Sequence, residues 1–284
     1  MLSAKVREKS IGKMSSMRLL AVLLVPVVAL IMGAAVPEVL AWGGWGDWGD
    51  CEELPLEAKI IFETNFTDND TGIQVFADGD PWKKLMIIDP DGDLMFNIST
   101  WGSLRHFGLA ELFSESNEPN WTEDMSHSEI LGLFDEGIYK FFARSIEGEW
   151  LKGCAELSKD LPCAPTGLSP SNVTVLANGI LLEWDHVTQM LVPFDDVATC
   201  SGGDIDVETY QVIVENLETE NQFSIFVEAP PDGDTQVTLP PEFVENGVTY
   251  KWEVLAIADN GNQTIAEAWF CTGDVGDPCP EPGD

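Results

Sequence analysis

Carboxylates gathered in glycine-bearing turns are the side chains of this chain best placed to do chemistry. Asp68-Asn69-Asp70-Thr71-Gly72, Asp78-Gly79-Asp80, Asp89-Pro90-Asp91-Gly92-Asp93 and Asp232-Gly233-Asp234 each put two or three acids within five residues. Several carboxylates converging with a backbone carbonyl suit a hard cation, so Asp68, Asp70, Asp89, Asp91 and Asp93 form the leading set for weakly held calcium. None of these runs completes the D-x-[DN]-x-[DN]-G-x5-E calcium loop, and Asp before Gly also favours tight turns for local backbone reasons. The runs therefore read first as solvated hairpin tips. Weak calcium is the only cofactor expectation.

General acid–base work would need carboxylates moved from their ordinary pKa by burial or close like charge, and polar turns supply neither. The chain has no G-x-S-x-G, no H-E-x-x-H and no glycine-rich phosphate loop. His106, His127 and His186 stand far apart in sequence. His106, beside Arg105 in LRHFGLAELF, reads as a packed or surface histidine. No catalytic residue is expected. Cys51, Cys154, Cys163, Cys200, Cys271 and Cys279 are even in number and lack the close pairing of a zinc site, which points to a disulfide framework in an oxidising compartment.

Residues 1–41 have the form of an export signal: basic Lys5, Arg7, Lys9, Lys13 and Arg18, an apolar run from Leu19 to Met32, and Val39-Leu40-Ala41 at the cleavage spacing. The run is shorter than the roughly 20 residues that cross a bilayer. A cleaved, secreted or periplasmic product without stable membrane insertion is expected. It retains nine Lys and Arg against forty-seven Asp and Glu, a field that repels nucleic acid. The new N-terminus, residues 42–57, is a Gly/Trp-rich flexible tail that starts WGGWGDWGDC. Trp42, Trp45 and Trp48 could stack on sugar faces or dock into a partner's groove, or fold back over their own domain.

The elements that must position these groups are strands. AKIIFET (58–64), IQVFA (73–77), WKKLMIID (82–89) and DLMFNIS (93–99) are short apolar runs between turn signals, and GIYKFFARS and EWLKGCAELS flank a Glu147-Gly148 hairpin. Ser126 with Glu129 fits a capping box opening a short helix. Phe62, Phe76, Trp82, Phe96, Phe107, Phe113, Phe141 and Trp150 supply the aromatic area of a core. KDLPCAPTGLSP (159–170) breaks any helix or central strand. The expected domains are thus 58–162, β-sandwich-like, and 163–272, followed by an acidic tail at 273–284. Six N-x-[ST] triplets, at Asn65, Asn69, Asn97, Asn120, Asn172 and Asn262, matter only where glycosylation machinery exists.

In the second block ILLEW (180–184), YQVIV (210–214), VTLPPEF (237–243) and YKWEVLAIADNGN (250–262) resemble the fibronectin type III family over about residues 164–272. The resemblance implies that Trp184 packs at the centre of the sandwich and that Tyr210 lies on the third strand. It further implies that Tyr250 makes the corner hydrogen bond above Leu239. The chain departs from the family in a long stretch, Asp185 to Glu208, that contains Cys200. In the family this loop lies at the pole of the domain's N-terminus, which implies Cys163–Cys200; Cys51–Cys154 clamping the first domain and Cys271–Cys279 closing a small loop complete the expected set, one of fifteen pairings open to six cysteines. Cys154–Cys163 is the rival pairing.

The expected fold is all-β, two tandem β-sandwich domains, the second fibronectin type III-like (Ig-like), behind a cleaved signal. The resemblance implies a non-catalytic binding, adhesion or scaffold protein whose partner is a protein or glycan at the cell surface. The alternatives are a component of an extracellular polysaccharide hydrolase and a calcium-stabilised structural envelope protein.

Overall fold

The computed structural model describes residues 51, 54–230 and 235–280. The leader, Trp42, Trp45, Trp48 and the Asp232–Asp234 turn lie outside them. Among the described residues strands hold 54% and helices 5%, which settles an all-β class. The first half contains β1 (Leu56–Asn65), β2 (Asp70–Ile88), β3 (Leu94–Ser99), α1 (Leu104–Phe107), β4 (Leu109–Glu115), α2 (His127–Gly132), β5 (Gly137–Ser145) and β6 (Trp150–Leu157). β5 shows why they form: Tyr139, Phe141, Ala143 and Ser145 are buried while Lys140, Phe142 and Arg144 alternate outward, the two-residue period of a pleated strand.

β2 corrects one expectation. Asp78-Gly79-Asp80-Pro81 does not turn the chain back; it is a bulge inside one 19-residue strand. Before the bulge β2 pairs with β1 and most of β4, and after it with the start of β4 at Trp82 and then with β5 and β3. A strand that changes partners at a bulge makes the corner of a folded-over sheet. β6 thereby returns across the start of β1, where a Cβ on Gly153 would fall on the Leu56 carbonyl oxygen. The capping box is present: Glu129 N–H donates to the Ser126 hydroxyl, and Ser126 N–H donates to Glu129 Oε2 at 3.0 Å.

The second half adds β7 (Leu161–Pro162), β8 (Val173–Val175), β9 (Leu181–Trp184), β10 (Gln189–Val192), β11 (Thr199–Asp204), β12 (Val207–Asn216), β13 (Gln222–Glu228), β14 (Thr235–Thr238), β15 (Thr249–Ala258) and β16 (Gln263–Thr272). A β9–β14 pair forms one layer and β13-β12-β15-β16 the other, with β8 added along β16. Trp184, Tyr210, Leu239 and Tyr250 are all buried. The rings of Trp184 and Tyr210 meet edge to face at 5.3 Å. The Tyr250 hydroxyl accepts from Glu245 N–H at 2.7 Å and donates to Phe243 O at 3.4 Å, which anchors the corner. The long Asp185–Glu208 stretch folds as the β10–β11 hairpin, and β10 pairs with β7.

One sheet runs through both halves, in the order β13-β12-β15-β16-β1-β2-β5-β6. Its seam is a parallel pairing of β1 with β16, Glu63 opposite Gln263, Thr64 opposite Thr264 and Asn65 opposite Ile265. Asn262 is the hub beside that seam. Its carbonyl oxygen accepts from Phe62 N–H at 2.9 Å, and its amide donates to the carbonyls of Ser158 and Asp160, each at 2.9 Å. The Thr264 hydroxyl donates to Pro162 O at 2.6 Å. Asn65 Nδ2 donates to Glu267 Oε1 at 2.9 Å. Two of the six N-x-[ST] asparagines, Asn65 and Asn262, are therefore buried structural amides. A second contact closes the same junction: Ser128 N–H donates to Phe194 O at 3.0 Å, and His127 stacks on the Phe194 ring at 4.5 Å.

The disulfides are Cys51–Cys154, Cys163–Cys200 and Cys271–Cys279; Cys163–Cys200 is the pair the family resemblance implied, and the other two are the pairs expected with it. Three such bonds suit an oxidising compartment outside the cytoplasm. Among the described residues no helix is long and apolar enough to cross a membrane.

Candidate functional site

Three of the aromatic side chains expected in the core are on the surface. Phe107, Phe113 and Trp150 are exposed, Phe76 and Phe96 half-buried, and only Phe62, Trp82 and Phe141 fully enclosed. Pattern alone missed the reason: the chain between β3 and β4 has to cross from one part of β2 to another, and its short α1 has no buried residue. It holds up Trp101 at 72% exposure, Leu104 at 50% and Phe107 at 76%.

Cations frame this tip. Arg105 and His106 are exposed on α1 itself. Thr100 N–H donates to Lys83 O at 2.8 Å, tying the crossover to β2. The Lys83 ammonium is held below its ordinary range, first by lost hydration and then by the nearby Arg105 and Arg144 guanidinium groups, with Glu147 acting the other way. Arg144 lies over the Trp150 ring at 5.0 Å, a cation–π arrangement. Exposed apolar rings with cations around them set this tip apart in an otherwise acidic chain. The signal in the sequence is faint: Trp101, Leu104 and Phe107 recur at three-residue spacing in a chain otherwise patterned in twos.

The acidic candidates are distributed differently from their order in the sequence. Asp68 and Asp70 lie at the β1–β2 turn, where Asn120 Nδ2 donates to Asp68 O at 2.8 Å. Asp89, Asp91 and Asp93 lie beyond the other end of β2, where Asp93 N–H donates to Asp89 Oδ1 at 2.8 Å. The structure does not bring the two groups together. It brings together three other acids: Glu63, Glu115 and Glu118 have carboxylate oxygens within 4.8 Å of one another. Gln74 Nε2 donates to Glu115 Oε1 at 3.2 Å and Gln263 Nε2 to Glu63. Gly72 leaves the room this needs, because a Cβ there would stand 2.6 Å from Glu118 Cγ. Such oxygens match the donor set of a hard cation. No local motif announces them, since they come from β1, β4 and the chain after β4.

The histidines do not converge. His106 is exposed, and His186 Nδ1 lies 2.9 Å from the Tyr210 hydroxyl. His127 is enclosed between Trp121 and Phe194, with no hydrogen-bond partner on either ring nitrogen. Burial pushes its pKa down to about 4.

No family model and no curated protein matches this chain. Among solved structures it is similar to a two-domain fibronectin type III segment of chicken tenascin, at 12% identity over 71% of this chain and 93% of that one, TM-score 0.27. It is also similar to the chicken interferon gamma receptor alpha chain, at 13% identity over 74% and 94%, TM-score 0.26. A calcium-stabilised, ice-binding adhesin of an Antarctic bacterium gives 10% identity over 76% and 48%, TM-score 0.25. At these TM-scores the fold rests on the strand order and core side chains above.

Proposed function

We propose that the protein is an exported, non-catalytic binding module, secreted or periplasmic, that presents a rigid aromatic contact surface to a protein or glycan at the cell surface. We further assign residues 163–272 as its fibronectin type III-like domain, on the Trp184–Tyr210 packing and the Tyr250 corner. The observation that carries the functional reading is the tip: Trp101, Leu104 and Phe107 stand exposed on a crossover that is tied to β2. Large exposed apolar side chains beside cations mark interaction sites more than solvated surface. The test is binding to immobilised envelope proteins and polysaccharides of the source, comparing the parent with Trp101→Ser/Phe107→Ser. Binding that survives the double substitution undamaged would move the contact to the Trp42–Trp45–Trp48 tail, which a protein starting at Cys51 lacks. Reproducible cleavage of the polysaccharide would replace this reading with the hydrolase one.

A second reading, calcium stabilisation, is favoured by the Glu63–Glu115–Glu118 convergence. Glu63, Glu115 and Glu118 would hold the ion, and the charge it supplies would offset the repulsion among them. Calcium should then raise the melting temperature of the parent and not of Glu115→Gln/Glu118→Gln, with a chelator reversing the gain. Equal melting curves with and without calcium would remove it.

A further inference from the structure

The sheet order places a second unpartnered apolar surface at the end of the molecule opposite the tip. β8 pairs with β16 at Phe270–Thr272, about seven residues forward from the seam at Gln263–Ile265. Trp82, where β2 meets the start of β4, lies twelve residues from Asp70, which pairs with Asn65 at the same seam. Because β16 runs parallel to β1 and β2 antiparallel to it, these two paths lead away from the seam in opposite directions. At about 3.3 Å per residue they put the β8 end roughly 23 Å to one side and the tip up to about 40 Å to the other.

At the β8 end a groove of about 380 Å³ is lined by Pro170, Leu176, Leu181 and Val275 among others. Leu176 is 60% exposed and Val275 72%. One wall is the small loop closed by Cys271–Cys279, held to β8 by the Thr174 hydroxyl donating to Asp277 O at 2.8 Å. That loop carries the exposed carboxylates Asp274 and Asp277. Cations are nearly absent from this half of the chain: after Cys163 there is one Lys and no Arg against 22 Asp and Glu. The one Lys, Lys251, is paired with Glu267 at 2.7 Å and Glu253 at 3.0 Å. Eight of the nine Lys and Arg that follow the leader lie before Cys163, and Lys83, Arg105 and Arg144 gather at the tip.

We propose that the tip of one molecule docks into the β8 groove of a second copy, Trp101, Leu104 and Phe107 entering the apolar groove while Arg105 faces the Asp274 and Asp277 carboxylates. The proposal rests on the reading of the tip as a contact surface, and it names the partner. Opposite charge around two apolar surfaces favours their encounter over tip-to-tip or groove-to-groove pairing, each of which sets like charges together. Two different patches at opposite ends form a head-to-tail contact, which propagates into open chains instead of closing a dimer. Patches of this size give weak, concentration-dependent association. Such chaining suits a surface scaffold built at high local density.

The experiment is sedimentation velocity on the protein from Trp42 onward, with its disulfides intact, across a broad concentration series. The average mass of the parent should rise above the single-chain value, continuously and without a plateau at two chains. Trp101→Ser/Phe107→Ser removes the knob and Leu176→Ser/Val275→Ser removes the groove; each alone should stay at single-chain mass. Mixed one to one, the two variants retain one intact knob and one intact groove, so the mixture should climb to twice the single-chain mass and stop there. Far-ultraviolet circular dichroism and melting curves matching the parent verify that both variants fold. Charge reversal by Arg105→Glu should lower the parent's association, and Asp274→Lys/Asp277→Lys added to it should restore the loss. A parent that stays at single-chain mass overturns the proposal, as does a variant mixture that never exceeds it. Loss of association on starting the chain at Cys51 also overturns it, by making the tryptophan tail the groove's occupant. If self-association fails while envelope binding still requires Trp101 and Phe107, the contact-surface reading stands and only the identity of the partner falls.

Discussion

The junction between the halves and the tip of the first half invert the ordinary rule of burial. At the junction Asn65, Asn262, Thr264, Gln263 and Glu63 are buried polar side chains, whereas at the tip Trp101, Leu104 and Phe107 are exposed apolar ones. The difference shows what each kind of group contributes. Buried amides and hydroxyls hold only when every donor finds an acceptor, so they specify one geometry. Exposed rings contribute little to the fold and are available for contact.

The comparison can be broken most sharply at Asn262. Asn262→Ala removes one acceptor and two donors at once and strands Phe62 N–H away from water. A loss of about 3 kcal/mol or more is expected in urea unfolding. If the halves then unfold in separate transitions, the hub is what couples them. A cost below about 1 kcal/mol would show that the β1–β16 ladder holds the junction without it.

His127 tests the second contact through pH. An ordinary histidine binds its proton near pH 6.5, and burial holds His127 down to about 4. Between those values the unfolded chain takes a proton that the folded chain refuses. The stability contributed is complete above pH 6.5 and declines as pH falls towards 4, by about 3 kcal/mol in all, with no further loss from this group below that. Glu129 on the same helix and Asp195, next to the Phe194 ring that stacks on it, are neighbouring carboxylates, so the measurement is a difference. His127→Phe should flatten the pH dependence of stability between 6.5 and 4 relative to the parent. Parallel curves for the two proteins would assign the acid response to the carboxylates.

Thr264→Val sharpens the same contrast at smaller scale. It keeps the side-chain volume and strands only the Pro162 carbonyl, so a cost of about 1 kcal/mol is expected from thermal unfolding. The tip should be the least sensitive of all. Trp101→Ser/Phe107→Ser is expected to shift stability by no more than about 0.5 kcal/mol. A loss comparable to that of Asn262→Ala would mean that the tip is packed in solution and that the contrast does not exist.

How much of this was legible in the sequence follows from the range of each signal. The second half was readable because the local runs that carry Trp184, Tyr210, Leu239 and Tyr250 resemble the fibronectin type III family, which implies their places in the sandwich. The capping box at Ser126 and Glu129 and the Glu147-Gly148 hairpin are equally local. The β2 bulge was misread because Asp-Gly-Asp-Pro has the composition of a turn, and only the pairing partners on either side distinguish a bend from a reversal. Phe107, Phe113 and Trp150 were assigned to the core because an aromatic residue reports its type and not its burial. The Glu63–Glu115–Glu118 cluster and the junction had no local trace, since they join residues remote in the chain.

The seam has a consequence for the order in which the molecule is made. Asn262 reaches Phe62 across 200 residues, so the second strand to flank β1 is the last of the described strands. Contacts of such long range form late and slowly. Until β16 has been made, β1 is an open edge whose unpaired backbone groups invite pairing with other chains. A chain cut short before β16 should therefore accumulate as aggregate, even though every strand of its first half is present.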